Sequence, residues 1–343
     1  MGLFSGVGGI ELGLGRAGHE ALMLCEVDEA ASAVLRRRFP DLSVHDDVCT
    51  LRELPAETKL IAGGFPCQDL SQAGKTKGIE GARSGLVGEV FRLVQKQRVP
   101  WILLENVPFM LQLSKGRALD VIVSALEHLG YAWAYRVVDT RAFGLPQRRR
   151  RVFMVASLED DPRRVLFADE AGAPPKVDGV PAGTACGFYW TEGVRGLGWA
   201  VDAVHTLKGG SSVGVPSPPA VWLPTGRMVT PHLKDAERLQ GFKPDWTKPA
   251  EAVARPGMRW KLVGNAVSVP AAKWVGECLA KPRDFAVSEV SEVREGCSWP
   301  TNAWNVGEGR FPTDRELGHG CRCEAPFANV PGVRRPRAPF TYF

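Results

Sequence analysis

The chain has 343 residues, of which 44% are hydrophobic and 24% charged, and a formal net charge of +5. That length can bury a large core and leaves room for two domains, while the modest basic excess is compatible with a polyanionic partner without requiring one. No apolar run approaches the ~20 residues of a membrane helix, and the eight cysteines show neither Cys-x-x-Cys spacing nor a secretory segment ahead of the first motif. A disulfide scaffold and a membrane protein are therefore excluded, and a cytoplasmic protein is expected.

In chain order, short apolar runs at 20–25, 59–62, 101–104, 131–138 and 152–156 predict strands. Segments of helical period at 8–17, 29–39, 84–97 and 118–129 alternate with them. This alternation predicts an α/β fold, a doubly wound and mostly parallel sheet with its sites at the carboxyl ends of the strands, over a first domain of 1–157. From 158 to 226 the chain turns rich in Gly, Pro and single aromatics with no sustained helical period, which predicts a smaller irregular or β-rich domain. Helical patterns at 232–240 and 267–279 return the chain to the first domain over 227–280. Residues 281–343 lose periodicity and are expected to form a loosely packed or disordered extension.

The amino-terminal stretch Leu3-Phe4-Ser5-Gly6-Val7-Gly8-Gly9 leaves a strand through a glycine-rich turn into a helix, a shape that lets backbone N–H groups approach a ligand. Alone it could equally be an ordinary tight turn. Glu26, about twenty residues on at the end of the second strand, can accept hydrogen bonds from ribose hydroxyls, and Asp47 is suited to an adenine amino group. A nucleoside-bearing cofactor is implied. The absence of Gly-x-Gly-x-x-Gly and of Gly-x4-Gly-Lys-[Ser/Thr] favours S-adenosylmethionine over NAD or ATP. Only Gly2-Leu3-Phe4 carry the first strand into this turn, so that strand is expected to be short and weakly held.

Gly63-Gly64-Phe65-Pro66-Cys67-Gln68 follows the apolar run 60–62 and exposes Cys67 on a Gly/Pro-built turn at a strand's carboxyl end. The other cysteines read as small buried hydrophobes. Cys321-Arg-Cys323 beside His319 is too closely spaced for paired zinc ligands, and no metal is expected. Glu105 ends the buried run 101–104, where it is either a functional carboxyl or a helix cap. Residues 68–85 interleave Gly74, Gly78, Gly81 and Gly85 with Lys75, Lys77 and Arg83, the composition of a mobile, basic loop. In Gln147-Arg148-Arg149-Arg150-Arg151 an extended backbone would turn Arg149 and Arg151 to one face and Arg148 and Arg150 to the other.

Taken together, Phe4 to Gly9, Gly64 to Gln68, Glu105-Asn106-Val107, Gln147 to Arg151, Arg238-Leu239-Gln240-Gly241-Phe242 and Gly264-Asn265-Ala266-Val267 resemble, in order, the motifs of the DNA (cytosine-5)-methyltransferase family, bacterial or phage type. The resemblance spans residues 2 to about 280. It implies an S-adenosylmethionine site from Phe4, Ser5, Gly6, Val7, Gly8, Glu26, Asp47, Val48, Pro66, Leu86, Asn265 and Val267. Catalysis is implied at Cys67, Glu105, Arg149 and Arg151, with Arg151 on the target base oxygen and Arg149 on a neighbouring phosphate. Contacts to double-stranded DNA are implied at Gln68, Ser71, Arg83, Gln147, Thr206 and Arg227, and 158–226 becomes the target recognition domain.

In this chemistry the Cys67 thiolate adds to carbon 6 of cytosine, so that carbon 5 becomes an enamine able to accept a methyl group, while Glu105 holds a proton at ring nitrogen 3. The target nucleotide must be flipped out of the stack to reach them. A monomer acting in the cytoplasm at the nucleoid is implied, with no membrane partner; a cognate restriction endonuclease is left open. Two departures from the family pattern are Gly2, where an acidic residue often precedes Leu-Phe, and Lys243, which displaces the usual proline to Pro244. Rival readings are a transfer-RNA cytosine-5 methyltransferase, an inactive DNA-binding relative and a nicotinamide-dependent oxidoreductase. The first differs only in substrate, the second has no need of Cys67, Glu105 and Arg151 together, and the third lacks its glycine fingerprint.

Overall fold

In the computed structural model, which describes residues 1–66, 85–172, 182–189, 198–208, 219–285 and 299–312, the five apolar runs become strands of one nine-stranded sheet, joined there by four short strands. Its strands are β1 (Gly2–Leu3), β2 (Met23–Cys25), β3 (Ser43–His45), β4 (Leu60–Gly64), β5 (Trp101–Asn106), β6 (Ala132–Asp139), β8 (Arg150–Ser157), β14 (Asn302–Asn305) and β15 (Phe311–Pro312). They stand in the order β15-β14-β6-β8-β5-β4-β1-β2-β3. The half from β5 to β3 is parallel, as expected. The pairings from β5 through β8, β6, β14 and β15 are antiparallel. Strands buried on both faces, such as Ile61-Ala62 and Ile102-Leu103-Leu104, read as continuous apolar runs, so the sequence pattern finds them without indicating direction.

Four helices follow the parallel strands closely where their period predicts: α1 (Gly9–Arg16), α2 (Glu29–Arg38), α3 (Leu86–Lys96) and α4 (Arg117–His128). Asp28 caps α2 by accepting from the Ala31 N–H at 3.0 Å, and Arg36, Arg37 and Arg38 sit in its last turn against the negative helix end. After the short α5 (Arg163–Leu166) come α6 (Leu233–Leu239), α7 (Met258–Asn265) and α8 (Val269–Ala280). The period of α7 is obscured because its buried face includes Arg259 beside Leu262, Val263 and Gly264.

A second sheet of four strands, β10 (Gly198–Val201), β9 (Cys186–Tyr189), β12 (Ala220–Trp222) and β13 (Met228–Val229), forms the smaller unit. A separate two-stranded sheet pairs β11 (Val204–His205) in parallel with β7 (Gln147–Arg148). Two expected boundaries shift. Val165, Leu166 and Phe167 pack with Trp274 and Val275 in the core of the large unit, and β13 carries the small sheet to Val229.

Residues 299–312 correct the expectation of a loose extension. Strand β14 hydrogen-bonds along β6, Trp299 packs edge-on against Trp133 and Tyr135, and Trp304 lies against Phe311 at 4.8 Å and under the Arg163 guanidinium at 4.2 Å. Replacing Trp304 by Ala is expected to lower stability by about 3 kcal/mol, the scale of an aromatic deletion in a core. Chemical denaturation checks this, and an unchanged midpoint would mean that the appended strands lie loosely on the sheet. Strand β1 is also better held than its length implied: it pairs with β2 and β4, and Leu3 is fully buried.

Candidate active site

The parallel strands β1, β2, β4 and β5 deliver their carboxyl ends to one place. Leu3 is in register with Cys25 and Gly63, and Gly64 with Glu105. After β1 the backbone turns through Phe4, held at φ +53°, and Gly6 and Gly8, at φ +55° and +83°. The left-handed Phe4 is a strained position of the kind that marks ligand-binding turns. The turn is pinned by the Ser5 N–H donating to Cys25 O at 3.1 Å and the Gly8 N–H to Ser5 O at 2.8 Å. Glu26 accepts from the Gly6 N–H at 2.7 Å and the Asp28 N–H at 2.8 Å, and burial raises its pKa despite those bonds. A Cβ on Gly6 would meet nothing within 4 Å, so the turn keeps an open side.

The other expected cofactor residues gather around this turn to different degrees. A Cβ on Gly9 would lie 2.5 Å from Val267 O, and one on Gly64 would lie 3.8 Å from a Val267 methyl, so Val267 lies between the start of α1 and the end of β4. Asp47 accepts from the Cys49 N–H at 2.9 Å in the turn after β3, with Val48 buried beside it. Leu86 opens α3 half-buried, Asn265 ends α7 exposed, and Pro66 is exposed beyond β4. Gly2 is explained by Glu11, whose carboxylate occupies the space above it: a Cβ there would be 2.2 Å from Glu11 Oε1. Burial pushes the Glu11 carboxyl up to about 7.

At the end of β5 the Glu105 carboxyl is buried, and Gly64 leaves the room it needs, since a Cβ there would sit 3.0 Å from Glu105 Oε2. Arg151 Nε lies 3.1 Å from Glu105 Oε1. Burial raises the Glu105 pKa, with Arg151 and Arg149 pulling the other way. This is a carboxyl held toward its neutral form beside a fixed cation, a combination suited to proton transfer. Next to it Asn106 donates its amide N–H to Phe65 O at 3.0 Å and accepts from the Val107 N–H at 2.8 Å. Asn106 therefore ties the end of β5 to the turn that leads into Cys67. Cys67, Gln68, Ser71 and Arg83 themselves lie outside the described residues.

The arginine run alternates as expected, Arg148 and Arg150 exposed, Arg149 and Arg151 turned inward. Two assignments are corrected. Arg149 is buried, and its guanidinium donates to Gly264 O at 3.0 Å and Ala266 O at 2.7 Å, so it braces the segment carrying Asn265 and Val267 and is not available to a phosphate. Gln147, also buried, donates to Leu239 O at 2.8 Å and accepts from the Leu207 N–H at 3.1 Å; it joins the two units from inside and does not face DNA. Thr206 is half-buried and donates its hydroxyl to Arg148 O at 2.8 Å. Arg227 is exposed at the hairpin between β12 and β13.

Residue-type reasoning did not single out the interior frame behind these groups. Gln240, inside a quoted motif, donates to Val263 O at 2.8 Å and accepts from the Ser268 hydroxyl at 3.1 Å. Glu237 and Trp246 flank that motif. Glu237 is buried against Arg259 at 3.0 Å, and Trp246 donates its indole N–H to Val7 O at 2.8 Å. Their only signal in the sequence is closeness to Arg238-Leu239-Gln240-Gly241-Phe242. Among the described residues no His, Cys, Asp and Glu cluster could hold a metal ion, and no helix is long and apolar enough to cross a membrane.

The profile of the C-5 cytosine-specific DNA methylase family matches residues 1–177. The chain is 50% identical over 323 residues to the Type II methyltransferase M2.BsuMI of Bacillus subtilis (strain 168), covering 91% of this chain and 82% of that protein. It is 36% identical over 325 residues to the Type II methyltransferase M.BsuFI of Bacillus subtilis, covering 84% and 74%. Among solved structures, the S. pombe Dnmt2 methyltransferase superposes with a TM-score of 0.57 at 16% identity over 81% of this chain and 96% of that one. A putative DNA modification methyltransferase encoded within an E. coli prophage does so at 0.54 and 19% over 82% and 98%; at such identities these two speak for the fold alone. The chain belongs to the C-5 cytosine-specific DNA methylase family.

Proposed function

We propose that this DNA (cytosine-5) methyltransferase uses S-adenosylmethionine as methyl donor and Cys67 as a covalent nucleophile on a cytosine flipped out of duplex DNA. The observation that carries the reading is the joint at the ends of β4 and β5. There Asn106 holds the Phe65 carbonyl ahead of Cys67 while the adjacent Glu105 faces Arg151. Phe4 to Gly8, Glu26, Asp47, Val48, Pro66, Leu86, Asn265 and Val267 would hold the donor, which supplies an electrophilic methyl group when bound.

The Cys67 thiolate adds to carbon 6 as Glu105 gives its proton to ring nitrogen 3, so no full negative charge builds on the ring. Arg151, 3.1 Å from Glu105, keeps the carboxyl aimed and would donate to the base's oxygen. Once carbon 5 is methylated, a base takes its remaining proton, the bond from carbon 6 to sulfur breaks to return the thiolate, and the nitrogen 3 proton goes back to Glu105. Arg148 and Arg150 contribute phosphate attraction that weakens with salt and is blind to sequence. The unit of β9, β10, β12 and β13 reads the target, the Type II relatives favour a role beside a cognate restriction endonuclease, and the enzyme acts as a monomer at the cytoplasmic nucleoid.

The reading is tested with a duplex carrying 5-fluorocytosine in the target sequence. Fluorine cannot leave as a cation, so the elimination step stops and a denaturation-resistant protein–DNA complex is expected only when S-adenosylmethionine is present. A methylating enzyme that forms no such complex on its own target would rule out covalent catalysis.

A further inference from the structure

The Val7–Gly8 peptide is held at both ends. Its N–H donates to Ser5 O at 2.8 Å, and its carbonyl accepts from the Trp246 indole at 2.8 Å. A peptide next to a glycine at φ +83° can rotate at little cost unless something fixes it. Trp246 comes from a segment more than two hundred residues away, and its position is over-determined. Phe242 stacks on it at 5.2 Å, Phe39 meets it edge-on at 6.2 Å, and the Arg38 guanidinium lies 5.0 Å above its ring.

The backbone that carries Trp246 is itself built around one buried carboxylate. Glu237 accepts from the Asp245 N–H at 2.5 Å, the Thr247 N–H at 2.9 Å and the Thr247 hydroxyl at 2.6 Å. Arg38 donates to the Trp246 carbonyl at 2.9 Å. Asp245 stands in the left-handed region at φ +61°, a conformation that these bonds hold in place. Among the described residues, none of the bonds named here reaches Glu105 or the small sheet. Its end point is the carbonyl of Val7.

We propose that Trp246 is a positioning residue for the methyl donor, fixing the Val7–Gly8 peptide so that the turn between β1 and α1 is formed before the donor arrives. This rests on reading that turn as the S-adenosylmethionine site. Without the indole N–H the turn samples flipped forms, and apparent affinity falls by the fraction of molecules still competent. A turn competent one time in ten gives a tenfold weaker Kd.

The test compares wild type, Trp246→Phe and a protein with benzothienylalanine at position 246, which keeps the fused ring and replaces N–H by sulfur. S-adenosylhomocysteine binding is measured by calorimetry, and duplex binding without cofactor by anisotropy. Both altered proteins are expected to bind S-adenosylhomocysteine about tenfold more weakly, bind duplex as wild type does, and show a raised KM for S-adenosylmethionine at unchanged kcat. Wild-type cofactor affinity in the benzothienylalanine protein overturns the proposal. Equal weakening toward both ligands also overturns it, by assigning Trp246 to general packing. If wild type binds duplex but no S-adenosylhomocysteine, the cofactor reading fails and the proposal with it.

Discussion

Cys67→Ala protein is expected to bind S-adenosylhomocysteine as tightly as wild type and to lose methyl transfer by roughly 10⁴-fold or more, the scale of removing a nucleophile whose partners act only through it. The expectation follows from how the labour is divided in the fold. The donor's proposed contacts come from the turn after β1, from Glu26 and from the 264–267 segment braced by Arg149, none of which depends on a thiol. The turn before Cys67 is fixed separately, through Asn106 and the Phe65 carbonyl. Removing the sulfur should therefore leave the fold and the donor site intact. Incorporation of labelled methyl groups into a target duplex measures the loss, and activity within tenfold of wild type would leave Cys67 without its role.

The sequence exposed the parallel half of this fold well because fully buried strands and amphipathic helices leave strong periodic marks. Ile61-Ala62 and Ile102-Leu103-Leu104 are apolar runs on the page and buried strands in space, and α1 to α4 fall within two residues of their predicted limits. Strand direction left no such mark, which is why the antiparallel pairing of β8 with β5 and β6 could not be read. Strands β14 and β15 are two to four residues long and owe their order to packing on Trp133, Tyr135 and Arg163. Such order comes from partners distant in sequence.

For the site, residue chemistry found the groups at strand ends and misjudged those behind them. Arg149 and Gln147 look like nucleic-acid ligands by type, yet alternation along an extended backbone sends both inward, onto Gly264, Ala266 and Leu239 carbonyls. The same alternation leaves Arg148 and Arg150 in solvent. A charged residue in a motif can thus serve the frame that aims a site as readily as the site itself. Glu237 and Trp246 make the same point from the other side, since neither type announces a role until the buried bonds to Thr247 and Val7 are seen.

Glu105→Gln is expected to lower kcat by 10² to 10⁴, the range for loss of a positioned acid, and to change the shape of the pH profile. Burial raises the Glu105 pKa above the ordinary glutamate value, against the pull of Arg151 and Arg149. The acid is therefore protonated over a wider range than an exposed glutamate of pKa about 4.3. Wild-type kcat should fall as pH rises through the raised value, because the proton for ring nitrogen 3 is then missing. The Gln protein carries no such proton and should show residual activity without that limb. Stability follows the same sign. A carboxyl raised above its unfolded value contributes stability that is present below the unfolded value and lost as pH rises through the folded one. Wild type should accordingly lose ground to Glu105→Gln over that interval, as the buried carboxyl ionises. Measured together, kcat and denaturation midpoints against pH separate the two roles. An alkaline limb that persists unchanged in the Gln protein would assign it to a group other than Glu105 and remove Glu105 as the acid.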